Sequence, residues 1–163
     1  MNNKNVKTDY KMAGWAIGEE TFHWIHNNIE YGSTILEFGS GDGSDALSDY
    51  YKVHCIEHDM EWVNKFEKIN YYHAEIIDGW YNPTVLDKVP NNYSLIIIDG
   101  PPGRIGRSGI KSHLDKLNLN VPIIIDDTHR LAERELAKFL IDYTKKDFLE
   151  IKDTASKESV ILL

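Results

Sequence analysis

The sequence contains a single cysteine and no long apolar run. Cys55 therefore has no partner for a disulfide within the chain. The longest apolar runs, Leu95–Ile98 and residues 121–125, are far shorter than the roughly 20 residues that cross a bilayer. Residues 1–10 contain no apolar run of the kind found in signal peptides. We therefore expect a cytoplasmic protein without a membrane partner.

Positive charge is also scarce, with 18 lysine and arginine residues against 26 aspartate and glutamate residues and a formal net charge of −8. This balance argues against a general hold on nucleic-acid phosphates, which requires basic surfaces. We expect a small-molecule or saccharide substrate and no nucleic-acid partner, and a homodimer is compatible with the sequence. The length of 163 residues suits one domain with one sizeable core.

Short β-branched runs alternate with longer helical patterns. This alternation predicts an α/β fold, namely a doubly wound, Rossmann-like, mostly parallel seven-stranded sheet with helices on both faces. The predicted strands cover residues 34–38, 53–57, 71–76, 93–99, 121–126, 148–152 and 159–163. The predicted helices cover residues 18–29, 44–51, 60–69, 108–117 and 131–145.

Residues 1–32 are predicted to form a helical cap before a core of residues 33–163. One face of the last helix is predicted to be apolar, and it comprises Leu131, Leu136, Phe139, Leu140 and Tyr143. Doubly wound sheets bind ligands outside the carboxyl ends of their strands, near a topological switch point. We therefore expect the chemistry at the strand ends.

Three glycines at alternate positions follow the first predicted strand, within residues 37–43, Glu-Phe-Gly-Ser-Gly-Asp-Gly. Glycine lets the backbone turn tightly after a strand and approach a ligand closely. A dinucleotide-binding loop has the spacing G-x-G-x-x-G, whereas here the third glycine comes one residue early and Ser44 occupies the later position. The spacing favours a methyltransferase loop over a nicotinamide site, and a plain strand-to-helix turn is the alternative.

Acidic residues end the second and third predicted strands. Glu57 lies about 20 residues beyond the glycine loop, where a doubly wound nucleoside site keeps a carboxylate for the ribose hydroxyls. The alternative for Glu57 is a solvated carboxylate at a strand end. His58 is a further candidate that could equally begin the next helix, and Glu75 is a candidate for adenine contacts or a plain strand end.

These motifs, together with the Asp-Gly-Pro-Pro-Gly turn at residues 99–103, resemble class I S-adenosylmethionine-dependent methyltransferases over roughly residues 33–163. In that family the glycine loop contacts the methionine portion of the cofactor, the acidic residue after the second strand holds the ribose, and residues after the fourth strand border the transferring methyl group. The resemblance implies S-adenosylmethionine as the cofactor. The expected cofactor-binding residues are Glu37, Gly39, Ser40, Gly41, Gly43, Glu57, His58, Glu75 and Asp99.

Three carboxylates are predicted at adjacent strand ends, Asp99 after the fourth strand and Asp126 and Asp127 after the fifth. Such oxygen ligands suit Mg²⁺. The ion would lower the pKa of an acceptor hydroxyl and align its oxygen with the methyl donor. The arrangement is similar to metal-dependent sugar and natural-product O-methyltransferases, and it makes Asp99, Asp126 and Asp127 the candidate metal ligands. Unlike some of those enzymes, this chain has no histidine in the turn after Asp99.

His129 is the predicted base, beside Asp99 as the other catalytic residue, because an imidazole accepts a proton near neutral pH. In the alternative interpretation His129 is an exposed residue of the first helical turn. Thr128 or Asp127 then simply caps the following helix, and Asp126 bonds to backbone.

Arg104 and Arg107 lie in a segment that glycines loosen, and they are predicted to gate the site and face an anionic sugar or phosphate; two solvated arginines are the alternative. A similar aspartate-glycine-proline run follows the same strand in plant-type glucuronoxylan O-methyltransferases. Trp15 and the pair Trp80 and Tyr81 are candidates for an aromatic wall of the site, and core or lid packing is the alternative for the two tryptophans.

The sequence thus predicts a methyltransferase that transfers a methyl group to a hydroxyl oxygen of a small or carbohydrate-like acceptor, with help from a divalent metal. Methylation at nitrogen without a metal and transfer of another group from a related sulfonium donor are alternatives. A further alternative is a non-catalytic module that binds S-adenosylmethionine, or a subunit of a larger complex. A nicotinamide enzyme is disfavoured by the glycine spacing.

Overall fold

The computed structural model describes residues 17–154 and 156–163, so Trp15 lies outside the described residues. The strands are β1 (Thr34–Phe38), β2 (Lys52–Glu57), β3 (Asn70–His73), β4 (Ile76–Ile77), β5 (Trp80–Tyr81), β6 (Leu95–Ile98), β7 (Ile123–Ile125), β8 (Phe148–Thr154) and β9 (Lys157–Leu162). The α-helices among these residues are α1 (Glu19–Asn28), α2 (Asp42–Ser48) and α3 (Leu131–Thr144). Two 3₁₀ helices cover Pro83–Asp87 and Ser108–Lys116.

Seven of the strands form one sheet in the order β3-β2-β1-β6-β7-β9-β8. Neighbouring strands are parallel from β3 to β7, whereas β9 runs antiparallel to both β7 and β8. Strands β4 and β5 form a separate hairpin. The strand order reverses direction at β1, which pairs with β2 on one side and β6 on the other. The predicted α/β fold is confirmed, and its switch point lies between β1 and β6.

Strand β6 explains how an uninterrupted apolar run fits the sheet. Leu95 and Ile97 pack in the core on the side of α1 and α2, whereas Ile96 and Ile98 pack in the core on the side of α3. Both faces of the strand are therefore buried, as expected for a central parallel strand. Helix α1 packs on the sheet through side chains that include Phe22 and Ile25. Within residues 17–154 and 156–163, no helix has the length and apolarity to cross a membrane.

Three predicted elements differ from the structure, and the helix at residues 60–69 is wrong. Residues 60–69 form successive turns rather than a helix, because Asn64 adopts a left-handed conformation with φ 63° and interrupts the helical path after one turn. The predicted third strand ends early, at His73, and the chain then folds into the β4–β5 hairpin through a turn at Asp78 and Gly79, both of which have positive φ. The helix predicted at residues 108–117 is a 3₁₀ helix.

The predicted apolar face of α3 is also partly wrong. Leu136, Ala137 and Leu140 are buried against the sheet. Leu131, Phe139 and Tyr143 instead lie on the exposed side, with 75%, 37% and 55% of their surface accessible. Residues four apart share a helix face, so these three belong to a neighbouring stripe that the sheet does not cover.

Candidate cofactor and acceptor site

The glycine loop begins where β1 and β6 meet at the switch point. Gly39 has φ 91°, and its N–H donates a hydrogen bond of 2.9 Å to the carbonyl of Ile56 in β2. A Cβ added to Gly39 would lie 2.9 Å from Cα of Gly100, the second residue after β6. Only glycine allows both the positive φ and this approach. The loop closes onto α2 through Ser44, whose Oγ accepts a hydrogen bond of 3.0 Å from the N–H of Gly41.

Glu57, at the end of β2, holds the loop in place. Its Oε2 accepts a hydrogen bond of 2.8 Å from the N–H of Ser40, and its Oε1 accepts bonds of 2.6 and 2.8 Å from the N–H groups of His58 and Asp59. A carboxylate has about four acceptor positions. One position on Oε2 therefore remains for a ligand hydroxyl. The Ser40 hydroxyl lies 3.0 Å from the hydroxyl of Tyr71.

Glu37 is buried in β1 beneath the loop, with 2% of its surface exposed. Burial raises the pKa of its carboxyl, a hydrogen bond with Ser44 lowers it, and the carboxylates of Asp99 and Glu57 raise it, which together give a pKa of about 8. Its Oε2 is buried without a hydrogen-bond partner. The carboxyl is therefore mostly protonated at neutral pH, and its Oε2 is free to form a further hydrogen bond.

We expect Glu37→Gln to change how stability depends on pH. The folded-state pKa lies above the unfolded value near 4.5, so the stabilising contribution of the protonated carboxyl is complete below that value and is lost as the pH rises towards 8. Glutamine does not titrate. Urea unfolding should therefore show wild type losing stability relative to the variant from pH 5 to pH 8, by at most about 1.4 kcal/mol per pH unit. Parallel stability curves for the two proteins would contradict the assignment.

Tyr81 of β5 forms part of the floor beside Gly100. The side chain is fully buried, and its hydroxyl has no hydrogen-bond partner among the described residues. A Cβ on Gly100 would lie 2.4 Å from this hydroxyl. Burial is the main reason that the pKa of Tyr81 stands well above its ordinary value, so the hydroxyl keeps its proton. Tyr81 was predicted only as part of an aromatic wall with Trp80, and its buried hydroxyl was not expected, because the hairpin that carries it was predicted as a strand followed by a broken stretch.

The three carboxylates predicted to converge do so. One oxygen each from Asp99, Asp126 and Asp127 lies within 4.8 Å of the others, at the ends of β6 and β7. Glu133 of α3 is buried close by, with Oε1 3.9 Å from Nε of Arg107. The carboxylate of Glu133 was not expected at the site, because in the sequence Glu133 is one of many charged residues of a predicted helix.

Arg107 occupies the space between these carboxylates, so its predicted role at the surface is wrong. It has 3% of its side chain exposed, and Nη2 lies 3.1 Å from Asp99 Oδ1 and 2.9 Å from Asp127 Oδ2. Lys157 contacts the other side of the cluster, with Nζ 3.2 Å from Asp126 Oδ2 and 3.7 Å from Asp127 Oδ1. The Ser159 hydroxyl donates a bond of 2.6 Å to Asp126 Oδ1, and Arg130 lies 3.0 Å from Asp127 Oδ2.

Magnesium does not fit this arrangement. The three predicted ligands have six carboxylate oxygens, and five of these already contact a protein donor or cation. Only Asp99 Oδ2 has no such contact among the described residues. Mg²⁺ requires near-octahedral oxygens at about 2.0–2.1 Å and repels neighbouring cations. The guanidinium and ammonium groups already neutralise the carboxylates that would attract the ion. Although burial raises it, the pKa of Asp127 is held below its ordinary value by Arg107, Lys157 and Arg130.

Asp99 differs from its neighbours in facing the switch point with a fifth of its side chain exposed. Burial and the carboxylate of Asp126 raise its pKa, Arg107 opposes both effects, and the resulting pKa is about 8. The Asp99 N–H donates to the carbonyl of Phe38 in β1, so the residue is held directly beside the glycine loop. A carboxyl with such a pKa can accept a proton slightly above neutral pH.

The other predicted site residues lie less centrally. Among the described residues, no hydrogen bond or ion pair joins His129 to Asp99 or to the glycine loop, and its Nδ1 is buried without a partner. Neither Thr128 nor Asp127 caps α3, whose N-cap residue is Arg130 without a side-chain cap. The side chain of Glu75 is exposed.

His58 and Trp80 lie near the edge of the site. The Nδ1 of His58 is 2.8 Å from Glu57 Oε1 without forming a hydrogen bond. Gly43, another predicted cofactor-binding residue, is buried within α2. Trp80 packs in the core and stacks on His113, with ring centroids 5.2 Å apart. Trp80 therefore packs in the core, as in the alternative interpretation, and does not form a wall of the site. Arg104 is exposed.

A cavity of about 240 Å³ lies between α3 and the β8–β9 hairpin, with lining residues that include Arg134, Ile141 and Phe148. The glycine loop, Glu57 and Asp99 do not line it. Its position away from the strand ends gives it no part in the site described above.

The chain shares its fold with solved structures of methyltransferases. The chain is similar to an rRNA methylase from Streptococcus thermophilus, with a TM-score of 0.58 and 14% identity over 88% of this chain and 93% of that one. It is similar to Aeropyrum pernix fibrillarin with natively bound S-adenosyl-L-methionine, with a TM-score of 0.59 and 11% identity over 82% and 67% of the two chains. For a putative caffeoyl-CoA O-methyltransferase from Staphylococcus aureus, the TM-score is 0.58 and the identity 12% over 88% and 81%. No protein-family model and no curated protein sequence matches the chain.

Proposed function

We propose that this protein binds S-adenosylmethionine at the switch point between β1 and β6 and transfers its methyl group to a hydroxyl oxygen of a small or carbohydrate-like acceptor. The observation that carries the proposal is the contact between Gly39 and Gly100, with the Asp99 carboxyl beside it. In doubly wound sheets, ligands bind outside this point. The fold shared with methyltransferases supports the same cofactor.

The residues present fit this cofactor. Two buried polar atoms at the crevice, Glu37 Oε2 and the Tyr81 hydroxyl, have no hydrogen-bond partner within the described chain. Buried polar groups are almost always paired, so such atoms at a ligand site point to a polar ligand. Glu57 keeps one acceptor position for a ribose hydroxyl. The glycine loop supplies the close backbone approach that the methionine portion needs.

Each residue then has a limited task. When bound, S-adenosylmethionine supplies an electrophilic methyl group on a sulfonium centre. Gly39 and Ser40 shape the pocket, and Glu57 fixes both the loop and the ribose. Asp99, held beside the loop, accepts the proton of the acceptor hydroxyl through Oδ2, since its Oδ1 is bonded to Arg107. His129 remains the alternative base, and the structure gives it no contact to Asp99.

The direct test has two parts. Titration calorimetry with S-adenosylhomocysteine should show binding to wild type and much weaker binding to Glu57→Ala. Incubation with S-adenosylmethionine and a panel of hydroxylated acceptors should give a product heavier by one methyl group. Absence of S-adenosylhomocysteine binding would refute the cofactor assignment. Binding without turnover on any acceptor would favour a non-catalytic module.

The nature of the acceptor is the second question for this panel. Two of the similar structures are an rRNA methylase and a fibrillarin, so the panel should include an RNA oligonucleotide and an amine. The net charge of −8 disfavours RNA. Methylation of the RNA or the amine, with none of the hydroxyl acceptors modified, would replace the proposed substrate class.

We expect Tyr81→Phe to separate stability from cofactor binding. The wild-type hydroxyl is buried and unpaired, so its removal should leave the free energy of unfolding unchanged or raise it by about 1 kcal/mol. If the hydroxyl donates to the cofactor, affinity for S-adenosylhomocysteine should fall about tenfold. Calorimetry and urea unfolding measure the two quantities.

Tyr93→Phe is the matched control, because the Tyr93 hydroxyl accepts a hydrogen bond of 2.7 Å from the N–H of Asn118 far from the loop. That variant should lose stability and keep its cofactor affinity. Unchanged affinity in Tyr81→Phe would remove Tyr81 from the binding site.

A further inference from the structure

The guanidinium of Arg107 is fully satisfied inside the protein. Its five N–H groups have five acceptors: the carbonyl oxygens of Ile98 (3.4 Å), Pro101 (3.3 Å) and Asp126 (2.8 Å), Asp99 Oδ1 (3.1 Å) and Asp127 Oδ2 (2.9 Å). Five donors in a rigid fork are all that an arginine has. The side chain therefore joins the end of β6, the turn after it and the end of β7 in one defined geometry.

Charge balance explains why a cation is held at this buried point. Four carboxylates, those of Asp99, Asp126, Asp127 and Glu133, lie around it. Unpaired buried charges are costly, so a cluster of this kind needs cations among its members. Arg107, Lys157 and Arg130 supply three positive charges at 2.9 to 3.7 Å from the aspartate oxygens. A divalent ion would add charge where the balance is already nearly complete.

Arg107 binds two of the three carboxylates that were predicted to hold a metal. Its Nη2 bridges Asp99 Oδ1 and Asp127 Oδ2, which come from adjacent strand ends, as an ion shared between those two residues would. The Nζ of Lys157 contacts the other oxygen of Asp127, Oδ1, and also Oδ2 of Asp126. The protein thus fills the predicted metal position with its own side chains.

We propose that Arg107 replaces the divalent ion at the acceptor end of the site and is a positioning residue that aims Asp99 at the acceptor, so that methyl transfer is independent of metal. The positioning half rests on the proposed function, whereas the exclusion of metal does not. Arg107 holds Oδ1, and Oδ2 of Asp99 has no hydrogen bond or ion pair among the described residues, so Oδ2 is the oxygen available to an acceptor hydroxyl. Arginine suits this task because its fork fixes orientation as well as charge.

The first experiment uses the wild-type protein alone. Mn²⁺ is titrated into the intact chain while electron paramagnetic resonance follows the six-line signal of the free ion, and turnover is compared in excess chelator and in excess Mg²⁺. We expect the free-ion signal to match that of buffer and turnover to be equal in both conditions. Loss of the Mn²⁺ signal at stoichiometric protein, or turnover that only Mg²⁺ restores, overturns the proposal.

The second experiment tests positioning with Arg107→Lys. An ammonium has three donors on a flexible stem, so it cannot serve all five acceptors. We expect kcat to fall about 100-fold because Asp99 is misplaced, with the affinity for S-adenosylhomocysteine unchanged. Arg134→Lys is the matched control, since Arg134 pairs with Glu158 and Thr128 outside the cluster, and it should keep wild-type kcat. An unchanged kcat in Arg107→Lys contradicts the positioning role.

The outcomes separate this inference from the proposed function. Wild type that binds S-adenosylhomocysteine but requires Mg²⁺ for turnover overturns the inference and leaves the function standing. A protein without cofactor binding refutes the function, and the Mn²⁺ signal still decides the exclusion of metal. Because the Mn²⁺ measurement needs no variant, the test holds even where Arg107→Lys does not fold.

Discussion

Gly39→Ala is expected to lower the free energy of unfolding by about 3 kcal/mol or more and to abolish measurable cofactor binding. Two costs add at this position. A non-glycine residue at φ 91° is strained, and the new Cβ would lie 2.9 Å from both Cα and N of Gly100. The opposing atoms are backbone and cannot rotate away, so the ends of β1 and β6 would have to separate. Urea unfolding and calorimetry with S-adenosylhomocysteine measure the two losses.

Gly79→Ala is the control that isolates the close approach from the strain. Gly79 has φ 80°, nearly the value of Gly39, yet a Cβ there would meet nothing within 4 Å. Its substitution should cost only about 1–2 kcal/mol and leave cofactor affinity at the wild-type level. Equal losses in the two variants would mean that the contact between Gly39 and Gly100 contributes nothing, and the main support for the switch-point site would be gone.

Those parts of the site that depend on local motifs could be predicted from the sequence. The glycine loop directly follows the strand β1, and Glu57 is the last residue of the strand β2. The α/β pattern alone therefore predicts that both lie at the switch point. The convergence of Asp99, Asp126 and Asp127 was predicted for the same reason, since parallel strand ends meet at one edge.

The contacts that decide the chemistry could not be predicted in this way. Arg107 stands in a segment with three glycines and two prolines that resembles a loose surface loop, and only the packed structure brings it among four carboxylates. The break at Asn64 is likewise invisible to hydrophobic periodicity, because one left-handed residue ends a helix without altering the apolar pattern. Charge compensation and single-residue backbone conformations are properties of the fold rather than of the local sequence.

Asp99→Asn is expected to lower kcat/KM by about 100- to 10,000-fold, the range that a positioned general base contributes. The substitution keeps the shape of the side chain and leaves an oxygen to accept the hydrogen bond from Arg107, so the cluster should stay intact. It removes the group that accepts the acceptor's proton. The S-adenosylhomocysteine formed with the best hydroxyl acceptor of the panel gives the rate, and calorimetry should show that cofactor affinity is little changed.

The pH profile distinguishes a base from a residue that merely fills space. A carboxyl accepts a proton only when it is ionised, and the pKa of Asp99 is raised to about 8. Wild-type kcat/KM should therefore rise with pH, reach half of its maximum near pH 8 and level off above it, whereas the asparagine variant should lack this rise. Asp87→Asn provides the control, since Asp87 is an exposed partner of Lys116 outside the site, and it should reproduce the wild-type profile. An asparagine variant with the wild-type pH dependence would assign proton acceptance to another group, and His129 would be the next residue to substitute.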